Sequence, residues 1–163
     1  MNDPVLESWL TKQLADGMAL AASSDILDLK PEEGPAPTCY LARYRARGLV
    51  KEGPGEPEVA DDFLVGIRFD RDYLRYANPA HVLSWLAPHS IFHPNIRMPF
   101  VCLGPIAAGT QLVELLYRVL DLITFRNVTP REDDALNAVA CSWARNNRHR
   151  FPIDRRPLKR IET

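Results

Sequence analysis

Residues 61–70 read DDFLVGIRFD, with Phe63, Val65, Ile67 and Phe69 on alternate positions. Successive side chains of a strand point to opposite faces, so this alternation predicts a strand with one side in a core. Upstream, TCYLARYRAR (38–47) mixes aromatic residues with looser alternation and predicts a second strand. The glycine- and proline-rich KEGPGEPE (51–58) between them reads as a hairpin loop. Downstream, HVLSWLA (81–87), bounded by Pro79 and Pro88, predicts a third strand. Three strands joined by local turns make an antiparallel meander.

Helical signals flank these strands. Asp3-Pro4 puts a capping residue before a proline at the first helical position, and Val5, Leu6, Trp9, Leu10 and Leu14 follow at helical spacing. From Gly17 to Pro37 the pattern weakens into the KPEEGPAPT stretch, which reads as a connection. Thr110 is the expected cap of a long helix burying Leu112, Leu115, Leu116, Val119, Leu122 and Ile123 and ending near Phe125-Arg126-Asn127. Thr129-Pro130-Arg131-Glu132 has the form of a capping box, predicting a last helix with Leu136, Val139, Ala140 and Trp143 on its apolar face. Helix, antiparallel strands, then helices is the layout of an α+β domain.

Composition narrows the function. At 163 residues, 46% hydrophobic and 25% charged, the chain suits one domain with a proper core, about residues 3–147, followed by a basic, proline-broken tail over 148–163. A formal net charge of −1 lacks the positive excess of a general nucleic-acid binder. No stretch reaches the roughly 20 apolar residues of a membrane span, and Asp3 and Glu7 stand where a signal peptide would be cationic, so a soluble, cytoplasmic protein is expected. The three cysteines, Cys39, Cys102 and Cys141, form no CxxC pair, which argues for free thiols in a reducing compartment. Cys39 and Cys141 read as core. His89 and His93 are four apart, but Pro88 and Pro94 bracket them and no third ligand is evident, so no metal is expected. The tail cations Arg145, Arg148, Arg150, Arg155, Arg156, Lys159 and Arg160 read as a solvated face, with an acidic partner as the alternative.

Four pieces, in order, carry a resemblance: FLVGIRFDRDYLRYANPAHVLSW (63–85), FHPNI (92–96), VCLG (101–104) and EDDALN (132–137). The chain resembles the ubiquitin-conjugating enzyme family over most of residues 38–145, and the specific part is the His-Pro-Asn signature with Cys102 seven positions after Asn95. The segment GPIAAGT (104–110) lacks the tryptophan common after the nucleophile in eukaryotic members, and DYLRYANP (72–79) only approximates the family's proline-rich turn. The likeness is thus to divergent, prokaryotic-type relatives that accompany bacterial ubiquitin-like modifiers.

The resemblance implies the ubiquitin-conjugating fold: an N-terminal helix, a four-stranded antiparallel meander sheet, then C-terminal helices. It implies a carrier that accepts a ubiquitin-like modifier from an adenylating, activating enzyme as a cysteine thioester and passes it to a lysine of a target protein, with a ligase as a further possible partner. Only cysteine can form that thioester, which makes Cys102 the nucleophile. An isolated Val-Cys-Leu would favour burial; the preceding turn reverses that preference. Asn95, behind rigid Pro94, becomes the amide donor to the oxyanion, a turn-bracing role being compatible with it. His93 is expected to hold the turn. Asp134, with Asp133 second, becomes the acid that positions the incoming amine, although a helical first turn would equally favour both acids through the helix dipole. By the same analogy the N-terminal helix, around Trp9 and Lys12, would help dock the activating enzyme. Two rivals stand beside this: a modifier-binding variant without catalysis, and a cysteine hydrolase pairing Cys102 with a histidine and an asparagine.

Overall fold

Asp3 caps the first helix, α1 (Pro4–Ala22), by accepting the Val5 and Leu6 N–H groups at 3.1 and 3.2 Å. The structure is a computed structural model and describes residues 3–128 and 135–161. The buried side of α1 is Leu10, Gln13, Gly17 and Leu20, a stripe at helical spacing, while Val5 is 70% exposed. The expected break at Gly17 does not occur. Gly17 marks a close approach instead: a Cβ there would lie 2.7 Å from Leu112 Cδ2 and 3.1 Å from Leu29 Cδ2.

After α1 the chain forms β1 (Leu27–Pro31), with Leu27 and Leu29 buried and Asp28 and Lys30 outside, where the sequence suggests only a connection. Two inward residues are too short a pattern to stand out. β2 (Cys39–Tyr44) pairs antiparallel with β1, Leu27 opposite Tyr44 and Pro31 opposite Tyr40. Next comes a small separate hairpin, β3 (Gly48–Val50) and β4 (Glu58–Ala60), so KEGPGEPE joins this hairpin rather than the two long strands. β5 (Phe63–Arg68) then pairs with β2, and its alternation is the expected one: Phe63, Val65, Ile67 and the following Phe69 are all buried. Asn78 caps a single helical turn, α2 (Pro79–Val82), so His81 and Val82 precede the strand; β6 (Leu83–Ala87) follows against β5. The result is a four-stranded antiparallel sheet in the order β1-β2-β5-β6.

A short hairpin, β7 (Ile96–Arg97) with β8 (Phe100–Val101), leads to α3 (Leu112–Ile123), whose six expected apolar residues are all buried. Gln111, not Thr110, is the cap position. The Thr110 hydroxyl donates back to the Ala107 carbonyl at 2.7 Å, and the first helical N–H, on Leu112, is taken by Gln13 Oε1 of α1 at 2.8 Å. Sheet and helices share one core, in which Tyr44 donates to the Leu116 carbonyl (2.8 Å) and Tyr73 to the Thr110 carbonyl (2.6 Å). The expected capping box at Thr129, Pro130 and Glu132 lies outside the described residues. Within them, α4 (Ala138–Asn146) is capped by Asn137, whose side chain accepts the Ala140 N–H at 3.0 Å. Its buried face is Ala140, Cys141 and Ala144 with Trp143 packed beside them, so Ala140 and Trp143 are as expected, whereas Val139 is 66% exposed and Leu136 precedes the helix.

The basic tail is part of the fold. Asp154 and Leu158 are buried, Asp154 accepts the Arg47 N–H (3.1 Å) and the Arg156 guanidinium (2.7 Å), and the Arg160 N–H reaches the Ser23 carbonyl at 2.6 Å. Arg150 pairs with Glu56 and Arg160 with Asp25, and the seven tail cations all remain exposed, as a solvated face would be.

Candidate functional site

The β7–β8 register puts Ile96 opposite Val101 and Arg97 opposite Phe100. One step outward along the same ladder, Asn95 faces Cys102. The Cys102 N–H donates to the Asn95 carbonyl at 2.9 Å, and the Asn95 side-chain amide donates to the Cys102 carbonyl at 3.2 Å. The seven-residue separation is thus a two-rung hairpin with Met98 and Pro99 at its tip. Burial alternates past the end of β8: Val101 and Leu103 are buried, and Cys102 between them is half-buried. It is not a core residue.

His93 is fully buried, and its Nδ1 accepts the Asn95 N–H at 2.9 Å, closing the turn around buried Pro94. That bond leaves the ring proton on Nε2. Burial pushes the imidazole down to about 3, with the nearby Leu122 carbonyl opposing, so the ring is neutral and serves as an acceptor. The Phe125 ring covers it at 4.4 Å between centroids. On the other side of the turn the Asn137 N–H donates to the Pro94 carbonyl at 3.1 Å, fastening the entrance of α4 to the His-Pro-Asn segment. Asp133 and Asp134 lie outside the described residues; the chain rejoins the turn three residues beyond Asp134.

The inserted hairpin also borders this region. Phe92 donates its N–H to the Leu49 carbonyl (2.9 Å) and Lys51 to the Ser90 carbonyl (2.8 Å), while Val50 bridges Ile91. Between this hairpin, the 88–92 segment and Asn137 runs an open cleft of about 740 Å³, with Lys51, Glu52, His89 and Ser90 among its lining residues. Its outer loop is held by Glu56, which accepts from Arg150 (2.6 Å) and from Trp143 Nε1 (3.3 Å); these hydrogen bonds, Arg150's above all, keep that carboxyl below the usual range.

Other sequence expectations separate. Cys141 is buried, whereas Cys39 is half-buried at the start of β2, on the outer side of the sheet, and is not core. His89 sits with Nδ1 3.2 Å from Met98 Sδ, and among the described residues no His, Cys, Asp and Glu cluster could hold a metal ion. Trp9 packs edge-on against Phe69 (5.0 Å) and beside Tyr73 (5.3 Å), so of the two expected docking residues Lys12 is the one turned to solvent, paired with Asp16. Asn137 and Phe125 were not singled out by the sequence. An asparagine before an apolar run is a recognisable cap signal for the first; nothing local marks the second. No helix among the described residues is long and apolar enough to cross a membrane.

No family model matches the chain, and no curated protein matches it.

Proposed function

We propose that the chain is a divergent member of the ubiquitin-conjugating fold, carrying a ubiquitin-like modifier as a thioester on Cys102 and delivering it to a lysine. The observation that carries this reading is the pair of hydrogen bonds that ties Asn95 to the Cys102 backbone, with Cys102 half-buried rather than in the core. In loading, the Cys102 sulfur attacks the modifier's C-terminal carbonyl carbon. A new C–S bond forms as the bond to the activating enzyme's thiol breaks, and that thiol leaves. In discharge, a lysine amine adds to the same carbon, its proton is lost, the C–N bond forms and the Cys102 thiolate departs. The oxyanion that develops in each step calls for a fixed amide donor, and Asn95, whose amide is already tied to the Cys102 carbonyl, is the proposed one. Asp134 and Asp133 are proposed to steer the amine, since the chain between α3 and α4 is fastened to the turn at Asn137. ATP is consumed by the activating enzyme, so the carrier itself uses no cofactor.

A hydrolase would need an imidazole on the thiol. His93 is unsuited to that, being sealed with Nδ1 already committed to Asn95. Non-catalytic members of the ubiquitin-conjugating family generally lack the cysteine, so Cys102 argues against a binding module. The test is incubation with a cognate activating enzyme, modifier and ATP, followed by a non-reducing gel. A thiol-sensitive adduct on the wild type and none on Cys102→Ala is expected. No adduct from a modifier shown to be activated, with equal binding to both proteins, would turn the reading to the binding module.

A further inference from the structure

α3 ends in a tight double-bonded cap. Phe125 donates its N–H to the Leu122 carbonyl at 3.1 Å and Arg126 to the Asp121 carbonyl at 2.9 Å, the pattern in which the residue after the cap turns left-handed. Glycine, sometimes asparagine, usually occupies that place. Here it is Phe125, at φ 63°, the one non-glycine residue at positive φ among the described residues. A bulky residue persists in such a conformation only where its surroundings over-determine it, and strain of this kind gathers at functional sites.

The side chain explains the choice. Phe125 is 3% exposed, its ring lies 4.4 Å from His93 on one side and 5.0 Å from Phe151 on the other, and Phe151 stacks on Trp143 of α4. The small second core made by Phe92, Phe125, Ala140 and Ala144 therefore backs directly onto the His-Pro-Asn turn. With glycine in its place the helix would still turn, but His93 would lose its cover.

We propose that Phe125 is a positioning residue: it is held left-handed at the end of α3 so that its ring seals His93, and through the His93–Asn95 hydrogen bond it fixes the turn beside Cys102. Water admitted to His93 would compete for Nδ1, release the Asn95 N–H and let the asparagine drift from the cysteine segment. The burial that keeps His93 neutral supports this, because a protonated ring could not accept that bond. The consequence for catalysis rests on the carrier reading; the structural link does not.

Phe125→Gly relieves the backbone and removes the ring, so it tests the ring alone; Phe125→Leu keeps apolar bulk in case the glycine variant does not fold. Phe151→Leu weakens the same small core without touching His93. Histidine-selective nitrogen NMR of the full chain should show a fixed Nε2–H tautomer for His93 in the wild type and in Phe151→Leu. Mixed tautomers, and Asn95 amide exchange faster by at least ~10-fold, are expected in Phe125→Gly, with a smaller change in Phe125→Leu. Discharge of a preloaded thioester to lysine should fall at least ~10-fold in Phe125→Gly, since displacing a catalytic group by about 1 Å can cost ~100-fold. A folded Phe125 variant that keeps the His93 tautomer and the Asn95 protection overturns the proposal, as does an equal loss in Phe151→Leu at matched stability. If the wild type never loads a modifier, the carrier reading fails, and the NMR comparison still decides the positioning role.

Discussion

In the proposed carrier chemistry Asn95 performs two tasks with one side chain, bracing the cysteine segment and donating to the oxyanion. It ties the Cys102 carbonyl at 3.2 Å while its own N–H is held by His93, so the amide is oriented before any acyl group arrives. Replacing it with alanine should separate those tasks. Losing one brace costs on the order of 1 kcal/mol of stability, whereas losing an oxyanion donor costs roughly 100- to 1000-fold in rate. Single-turnover discharge of loaded Asn95→Ala should therefore collapse while the protein stays folded, and an unchanged discharge rate would remove Asn95 from the chemistry. At this scale the sequence was informative through its motif: an isolated Val101-Cys102-Leu103 favours burial, the preceding His-Pro-Asn reverses that preference, and Cys102 is half-buried. It was uninformative at Phe125, because a phenylalanine carries no local mark of a left-handed backbone that costs roughly 1–2 kcal/mol.

Between elements, α3 depends on a partner from the far end of the chain. Gln13 is fully buried in α1 and its Oε1 takes the Leu112 N–H at 2.8 Å, a cap supplied across 99 residues. Gln13→Ala would leave that N–H unpaired in a dry site and should lower unfolding free energy by about 1–3 kcal/mol. The check is a shifted urea midpoint at an unchanged slope; a shift under ~0.5 kcal/mol would contradict it. The contrast with Asp3 shows what a sequence reveals. Asp3-Pro4 caps its own helix and is visible locally, whereas Gln13 and Gly17 act on α3 and can be understood only after the helices meet. β1 has only two inward residues and the strands of the β3–β4 hairpin only three residues each, too short for alternation to show.

Over the whole molecule, the C-terminal segment closes the ends of the fold through Asp154, Leu158 and Arg160, and the buried groups set its acid sensitivity. His93, at about 3, lies below the ordinary value near 6.5, so the unfolded chain takes up this proton first and stability falls as pH drops below ~6.5, continuing toward ~3. Asp154 is held at about 2 chiefly by its hydrogen bonds from the Arg156 side chain; its contribution is full above ~4 and disappears as pH falls toward ~2. Unfolding free energy should accordingly decline by up to ~1.4 kcal/mol per pH unit between about pH 6 and 4, and more steeply below. Urea titrations at several pH values would show it, and a flat profile from pH 7 to 5 would contradict the sealed, neutral His93. The mixed α+β layout and the central alternation were open to reading because they repeat along the chain. The folding back of the tail was not, because its cations look the same free or paired. Carrier chemistry on Cys102 is measured most directly by the intact mass of Cys102→Ser after incubation with activating enzyme, modifier and ATP. A thiol-resistant oxyester is expected, heavier than the variant by the modifier less one water. A thiol-sensitive adduct persisting on Cys102→Ser, mapped to Cys39 or Cys141, would contradict it.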